Sequence, residues 1–315
     1  MSIITPDSST SNETATNPLI PQGLQNFGNS CYFNSAMQLL LQIPVFGDQL
    51  ITNNQTLNTF KQFYVNYYSN NNLNSSSLRD VYITSCMERK YPLGTQQDSC
   101  EVVQLFLDKI IDFMAEKKKD VRVLMNQLIR CEGNNCNNKY KICGDQQECL
   151  LISQALIERN EQSIGFKEFL ESALEPKNCP DYNYECSCNN QKLFIQTVLT
   201  DLPTYLVIKV GRGDNFLRKI NKKLTIANNF TLSTPVSLKD VCESGDPKKI
   251  NHNYSLTGII VHYGNSLNSG HYVAFIKKNS KWFLCNDSSI TQLDNFNHNI
   301  SEIENNSCVL LYVKQ

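Results

Sequence analysis

The sequence carries almost no net charge and has no long apolar run. Its 29 Lys and Arg nearly balance its 30 Asp and Glu, which gives a formal net charge of -1 at pH 7. Nucleic-acid-binding proteins usually show a basic excess or stripe, so that class is not expected. No segment approaches the ~18 apolar residues of a membrane span, and the first residues lack the basic and apolar parts of a signal peptide. We therefore expect a soluble, monomeric chain of the cytoplasm, the nucleus or both, with neither nucleic acid nor membrane as a partner.

Cysteine is more plentiful, with 13 residues in the chain. Disulfides rarely persist in a reducing compartment. We therefore expect these cysteines to be thiols, metal ligands or a nucleophile.

The chain has 315 residues, of which 41% are hydrophobic, so it can bury a substantial core. Residues 1–20 are rich in Ser, Thr and Asn without periodicity, which predicts a flexible tail. A second polar stretch at 68–74 predicts an exposed loop. No internal repeat divides the remainder, and we expect one folded domain over residues 21–315.

Two helices and six strands are indicated by the apolar pattern. Apolar residues recur at helical spacing from Ala36 to Ile43, and Pro44 ends that helix. A second helix is predicted over 99–114. Strands are predicted at 194–199 and 205–210, as a pair, and at 256–262, 272–276, 282–286 and 309–313. Because the helices come first and the strands later, the pattern favours an α+β fold.

The segment before the first helix carries the strongest chemical signal. Gly and Asn in GLQNFGNS, residues 23–30, permit a tight loop that delivers Cys31 to the first helical turn. There, free backbone N–H groups and the helix dipole would lower the pKa of the thiol. Together with the side chain of Asn26, they could also donate to an oxyanion. A buried structural cysteine behind a polar loop is the alternative.

A thiol nucleophile needs a base, and the chain has only four histidines. His298 lies in an Asn-rich loop, and His252 precedes a strand. His262 and His271 flank the loop YGNSLNSG, and His271 opens the next strand, where a side chain is held rigidly. We predict that His271 is the base and that His262 is structural.

The base also needs an acceptor on its second ring nitrogen. Asn286 and Asp287 end the strand 282–286, which returns alongside His271 if it forms a hairpin with 272–276. An ordinary polar turn is the alternative, since Asn-Asp-Ser is common in turns.

Together these segments resemble the ubiquitin-specific protease family of papain-like cysteine deubiquitinases. The cysteine motif matches throughout GLQNFGNSCYFN at 23–34, and QQDSCEV at 96–102 resembles the family block QQDAxEF. The stretch LPTYL at 202–206, a histidine block at 254–274 and a Trp block at 282–290 follow in the family's order. The resemblance covers most of the chain from residue 23 onward.

This resemblance implies a papain-like α+β fold with a helical thumb, a β-rich palm and a finger extension over about 125–200. It implies hydrolysis of the isopeptide or peptide bond after the C-terminal glycine of ubiquitin, with ubiquitin and ubiquitin-conjugated proteins as partners. Cys31 would be the nucleophile, His271 the base and Asn26 an oxyanion donor. Asn286 would be the third catalytic member, with Asp287 as neighbour or substitute.

Four more residues are implied in substrate binding: Gln97, Asp98, Glu101 and Gly270. The family has carboxylates at the positions of Asp98 and Glu101 that meet the basic C-terminal tail of ubiquitin. The pattern Asp-x-x-Glu at a helix start also predicts capping, and both roles can coexist.

Seven of the cysteines lie between residues 131 and 188. Catalysis itself needs no cofactor, but the family's finger region often carries a structural zinc. Cys131, Cys136, Cys186 and Cys188 are the candidate ligands, although neither pair has the usual two-residue spacing. A decayed site, held by packing alone, is the alternative.

Two residues depart from the family pattern: Cys100 stands where His is usual, and Gly213 stands where Phe is usual. Three other functions remain open: a ubiquitin-binding adaptor on an inactive scaffold, a protease for another ubiquitin-like modifier, and a general papain-like peptidase. The presence of both Cys31 and His271 argues against the first.

Overall fold

The computed structural model describes residues 20–47, 50, 52–69, 75–114, 116–131, 140–149, 151–155, 163–175, 177–178, 193–213, 218–244, 247–266 and 269–315. The predicted tail at 1–20 lies outside this range except for its last residue. No described helix has the length and apolar character needed to cross a membrane.

Helices dominate the first part of the chain and strands the second. The helices are α1 (Cys31–Leu40), α2 (Gln55–Ser69), α3 (Ser75–Arg89), α4 (Ser99–Phe113), α5 (Phe166–Leu174), α6 (Leu238–Ser244) and α7 (Ile300–Asn306), with short 3-10 turns at Pro44–Phe46, Lys118–Asp120 and Phe296–Asn299. The strands are β1 (Val123–Cys131), β2 (Lys141–Cys149), β3 (Leu151–Ala155), β4 (Ser163–Gly165), β5 (Lys177–Asn178), β6 (Leu193–Asp201), β7 (Tyr205–Gly211), β8 (Lys223–Thr225), β9 (Asn229–Pro235), β10 (Lys249–Ser266), β11 (Ser269–Lys278), β12 (Lys281–Asn286), β13 (Ser289–Leu293) and β14 (Ser307–Lys314). This order confirms the α+β prediction.

Helix α1 lies at the centre of the molecule. All ten of its residues are buried, including polar Asn34 and Gln38. It packs against α4 on one side and against β11 on the other. A helix enclosed on all faces is held rigidly, so the residue at its first position has a fixed place.

The helical half is larger than the sequence pattern predicted, because α2 and α3 were not foreseen. The predicted loop at 68–74 is wrong at its start, since Tyr68 belongs to α2 and is buried. Residues 70–74 are outside the described range. Phe60, Phe63 and Tyr67 form the apolar stripe of α2, and the Asn and Ser residues around them obscured it.

The main sheet, here called the palm sheet, has the strand order β13-β12-β11-β10-β14-β7-β3, with β9 paired to β10. All its neighbouring strands are antiparallel except β3 and β7. The hairpin of β11 and β12 is in the expected place, with Ala274 opposite Cys285. The end of β12 therefore returns towards the start of β11.

A second sheet, here called the finger sheet, has the order β2-β1-β6-β5. The expectation that strands 194–199 and 205–210 form a pair is wrong: the first lies in the finger sheet as β6 and the second in the palm sheet as β7. The residues Asp201, Leu202 and Pro203 carry the chain from one sheet to the other rather than closing a hairpin.

Candidate active site

A tight polar loop delivers Cys31 to the start of α1. Gly28 and Asn29 have φ values of 91° and 54°. The side-chain oxygen Oδ1 of Asn26 accepts from the backbone N–H groups of Gly28 at 2.9 Å and Ser30 at 3.2 Å. The loop thus folds around the Asn26 amide, and Cys31 begins the helix with 3% of its surface exposed.

The environment of Cys31 favours the thiol rather than the thiolate. Burial raises the pKa of Cys31 and outweighs the backbone N–H groups of Tyr272 and Tyr32 and the amide of Gln96, which lower it. The expected lowering of the Cys31 pKa is therefore wrong for this structure. Desolvation destabilises the thiolate more than these hydrogen-bond donors stabilise it. A thiol of this kind needs a neighbouring base to remove its proton.

His271 occupies the third position of β11, directly before Tyr272, whose N–H reaches Cys31. Its ring nitrogen Nε2 lies 2.7 Å from Oδ1 of Asn286. A hydrogen bond at Nε2 orients the imidazole and leaves Nδ1 as the nitrogen that can take the thiol proton. The structure thus brings His271 and Asn286 together, and it places His271 one residue before Tyr272, whose N–H reaches Cys31.

Asp287 serves the other side of the site. Its φ of 49° turns the chain away from β12. Its carboxylate accepts from Nδ2 of Asn26 at 2.8 Å and from Nδ2 of Asn34 at 2.7 Å, and its carbonyl accepts from the N–H of Leu24 at 2.7 Å. Asp287 therefore binds the loop and helix that carry Cys31.

The contact between these two segments leaves no room for a side chain at Gly23. A Cβ there would lie 2.1 Å from the carbonyl oxygen of Ser288. The loop before Cys31 and the turn after β12 are thus joined backbone to backbone.

Sequence reasoning gave no role to Gln96, which links the two halves. The N–H of Gly270 donates to Oε1 of Gln96 at 3.1 Å, and Nε2 of Gln96 donates back to the carbonyl of Gly270. The same Nε2 lies 4.0 Å from the sulfur of Cys31. Asn34 is a second residue that the sequence did not single out. In the sequence, the one indication of a role for Gln96 and Asn34 is that they lie within the segments 96–102 and 23–34, which resemble the family motifs.

Gly270 must be a glycine in this arrangement. A Cβ would lie 2.1 Å from the carbonyl oxygen of Tyr263 and 2.4 Å from Nε2 of His262. His262 itself is 5% exposed, with its ring centre 4.4 Å from that of Tyr272. Burial, with Lys219 and His271 nearby, lowers the pKa of His262 to about 4. The neutral, buried ring, packed against Tyr272, agrees with a structural histidine.

A cleft of about 510 Å³ extends from Gln96 along the surface between α4 and β7. The predicted substrate residues Gln97, Asp98 and Glu101 all line it. Asp98 caps α4 by accepting from the N–H of Cys100 at 2.8 Å, so the capping prediction is confirmed. Glu101 accepts from the hydroxyl of Tyr91, and Gln97 donates to Thr95 at 2.9 Å.

The predicted zinc ligands are not tested by the structure. Cys131 is buried at the end of β1. Cys136, Cys186 and Cys188 lie outside the described residues. Among the residues that are described, no group of three or more His, Cys, Asp or Glu side chains could hold a metal ion.

Comparison with known proteins identifies a family and several relatives of this chain. The family model described as ubiquitin carboxyl-terminal hydrolase matches residues 22–312. Ubiquitin carboxyl-terminal hydrolase 25 of Arabidopsis thaliana is 28% identical over 311 residues, covering 86% of this chain and 44% of that protein. Ubiquitin carboxyl-terminal hydrolase 8 of Saccharomyces cerevisiae is 24% identical over 322 residues, covering 86% of this chain and 66% of that protein. The chain therefore spans less than two thirds of either relative.

The fold is also similar to a solved structure. The SAGA Ubp8/Sgf11/Sus1/Sgf73 DUB module bound to ubiquitin aldehyde superposes with a TM-score of 0.73 and 21% identity, over 93% of this chain and 69% of that chain. This similarity shows a shared fold, and the family match over residues 22–312 shows that the chain belongs to the ubiquitin carboxyl-terminal hydrolase family.

Proposed function

We propose that this chain is a thiol-dependent deubiquitinase that hydrolyses the peptide or isopeptide bond after the C-terminal glycine of ubiquitin. The observation that carries the proposal is the 2.7 Å contact between His271 Nε2 and Asn286, one residue before Tyr272, whose N–H reaches the buried Cys31 at the start of α1. That contact frees the other ring nitrogen for the thiol. Nucleophile, base and orienting group then stand in the order that cysteine proteases require.

The reaction begins when His271 takes the proton of Cys31. The thiolate attacks the glycyl carbonyl, and the oxyanion is held by the N–H of Cys31 and the side-chain amide of Asn26. Asn26 has two amide hydrogens, of which one is donated to Asp287, so the second can serve the oxyanion. His271 then protonates the leaving amine, and water hydrolyses the thioester.

The charge of the cleft is compatible with the basic tail of ubiquitin. The lining carboxylates Asp98 and Glu101 supply negative charge in the cleft. Basic residues of a bound tail are complementary to these carboxylates. Gly270, which was also expected to bind substrate, is not among the described residues that line the cleft.

The test is cleavage of ubiquitin bearing a fluorogenic amide at its C-terminus. Cys31→Ala should abolish cleavage while leaving ubiquitin binding measurable by titration. Cys242→Ala is the matched control, because Cys242 lies on α6 outside the cleft. Full activity in Cys31→Ala would refute the proposal.

A covalent ubiquitin probe separates the alternatives. An enzyme forms an adduct at Cys31, whereas an inactive adaptor binds ubiquitin without one. Probes built on other ubiquitin-like modifiers, run in parallel, test the rival specificity. A catalytic Cys31 thiol would stay reduced in the cytoplasm or the nucleus, where disulfide formation is suppressed.

We also propose a structural zinc held by Cys131, Cys136, Cys186 and Cys188. Support comes from the cysteine content of the segment and from the end of β1, where Cys131 lies. Metal analysis should find one equivalent of zinc, whose removal lowers the melting temperature. Less than half an equivalent, lost without a change in melting, would exclude the site.

A further inference from the structure

The cleft that would receive a basic tail contains more positive than negative side chains. Among the described lining residues, Lys209, Arg212 and Lys219 are cationic, and Asp98 and Glu101 are anionic. Positive side chains in the cleft repel a cationic ligand. The contacts of each cation decide whether its charge can act on such a ligand.

Arg212 is 4% exposed, and its guanidinium is held by the protein itself. It donates to the main-chain carbonyls of Ser307 at 2.6 Å, Glu304 at 2.7 Å and Lys222 at 2.8 Å. These contacts anchor the start of β14. The guanidinium is therefore directed into the protein rather than into the cleft.

Lys219 is similarly occupied. It is 8% exposed, and its ammonium donates to the carbonyls of His262 at 2.7 Å and Gly264 at 2.9 Å and to the side-chain oxygen of Asn306 at 2.9 Å. An ammonium has three hydrogens, and all three have acceptors here. Its role is to hold the backbone at the end of β10.

Lys209 differs from both. Its side chain is 34% exposed, and its Nζ lies 3.7 Å from Oδ2 of Asp98, whose side chain is 41% exposed. Burial lowers the pKa of Lys209, but the neighbouring Cys100, Asp98 and Glu101 outweigh it and raise the pKa above its usual value. Lys209 is thus charged throughout the neutral range and accessible from the cleft.

Both oxygens of Asp98 are engaged as a result. Oδ1 accepts from the N–H of Cys100 and caps α4, while Oδ2 faces Lys209. A basic residue of a bound tail can pair with Asp98 in two ways. It must either displace Lys209 from Asp98 or bind close to Lys209 against the repulsion between their positive charges. Glu101, bound to the hydroxyl of Tyr91, is the carboxylate further from this competition.

We propose that Lys209 is a specificity-determining residue that competes with the basic tail of the substrate for Asp98 and so weakens tail binding. This inference rests on the proposed function of the cleft. Removing the Lys209 charge frees Asp98 and removes repulsion at the same time. For a partly exposed ion pair, the expected gain is about two- to fivefold in affinity.

The experiment compares wild type with Lys209→Met in the same ubiquitin amide assay. KM should fall by about two- to fivefold with kcat nearly unchanged, and Lys209→Arg should behave as wild type. Lys239→Met is the control, because it removes the same charge from an exposed position on α6 outside the cleft. An unchanged or raised KM in Lys209→Met, in a variant whose melting temperature matches wild type, overturns the inference.

A second measurement ties the effect to Asp98. In an Asp98→Asn background, which keeps a residue able to cap α4, the Lys209→Met gain should largely disappear. A gain of the same size in that background would mean that Lys209 acts without Asp98 and would refute the competition.

Titration of ubiquitin into the Cys31→Ala forms of both proteins separates this inference from the proposed function. If wild type fails to cleave ubiquitin but the titrations still show tighter binding by Lys209→Met, the enzymatic proposal fails and the competition stands. If wild type cleaves and the titrations are identical, the reverse holds.

Discussion

Asn286 and Asp287 are neighbours in the chain, yet their side chains contact opposite sides of the site. Asn286 reaches Nε2 of His271 at 2.7 Å, whereas Asp287 reaches the amides of Asn26 and Asn34 at 2.8 and 2.7 Å. The positive φ of Asp287 produces this divergence, because it turns the backbone between the two residues. One residue thus orients the base, and the other fixes the loop that carries the nucleophile.

Asn286→Ala should lower kcat by about a hundredfold or more, with little change in KM or thermal stability. The imidazole would lose the acceptor that selects its orientation and tautomer. Asn286→Asp keeps an acceptor and should retain much more activity. Steady-state kinetics with the ubiquitin amide checks this, and an Asn286→Ala variant with near-normal kcat would contradict it.

Asp287→Ala should lower thermal stability as well as kcat. The exposed amide of Asn26 and the buried amide of Asn34 would both lose a carboxylate acceptor, and the loss at a buried amide typically costs about 1–3 kcal/mol of unfolding free energy. Urea unfolding and kinetics should both respond, and Asp294→Ala, at an exposed position beyond β13, is the control. A large loss of kcat at unchanged stability would instead give Asp287 a direct role at His271.

Gln96→Ala should raise the mobility of the backbone at Gly270 and lower kcat by about tenfold. The N–H and the carbonyl of Gly270 would both lose their partner, one residue before the base. Faster amide hydrogen exchange at residues 269–271 would report the local effect. Gln104→Ala, which removes a side-chain amide from α4 rather than from the loop before it, should leave both readouts unchanged.

The raised pKa of Cys31 sets the sign of the pH dependence. Because the thiol form is favoured at rest, kcat/KM should increase as the pH is raised from about 6 to about 8. A preformed thiolate–imidazolium pair would instead give a flat profile across that range. The profile, measured with the ubiquitin amide, decides between the two states.

His262 should make the fold sensitive to acid. Its pKa is about 4 in the folded protein against a usual value of 6.5, so the unfolded chain binds a proton first as the pH falls. The contribution of neutral His262 to the free energy of unfolding is fully present above about pH 6.5. It is lost progressively as the pH falls towards 4, by up to about 3 kcal/mol. In urea unfolding, His262→Gln should show a smaller difference between pH 7 and pH 5 than wild type. His298→Gln, at an exposed position, should behave like wild type.

The sequence allowed six of the described strands to be predicted, whereas the catalytic roles of the site residues remain predictions. Each predicted strand overlaps an observed one, because β-branched and aromatic runs were bounded by clear turn residues. Cys31, His271 and Asn286 each lie within the first or last few positions of an element, where short-range patterns are informative. The approach of Asn286 to His271 followed from one local feature, the hairpin of β11 and β12.

The remaining features depend on contacts between distant segments. Gln96 meets Gly270 across 174 positions, and Asp287 meets Asn26 across 261. The pKa of Cys31 depends on how deeply α1 is buried, which no local pattern records. The separation of β6 and β7 into two sheets depends likewise on which partners those strands find.

The position of β14 has a consequence for how the protein is made. This strand is the furthest along the chain, yet it lies between β10 and β7 in the interior of the palm sheet. Until it has left the ribosome, the two parts of the sheet have no common neighbour, and the hairpin that bears His271 lacks its support. The nascent protein should therefore be inert until synthesis reaches β14. A synthetic peptide with the sequence of β14 should restore activity to a chain that ends before this strand.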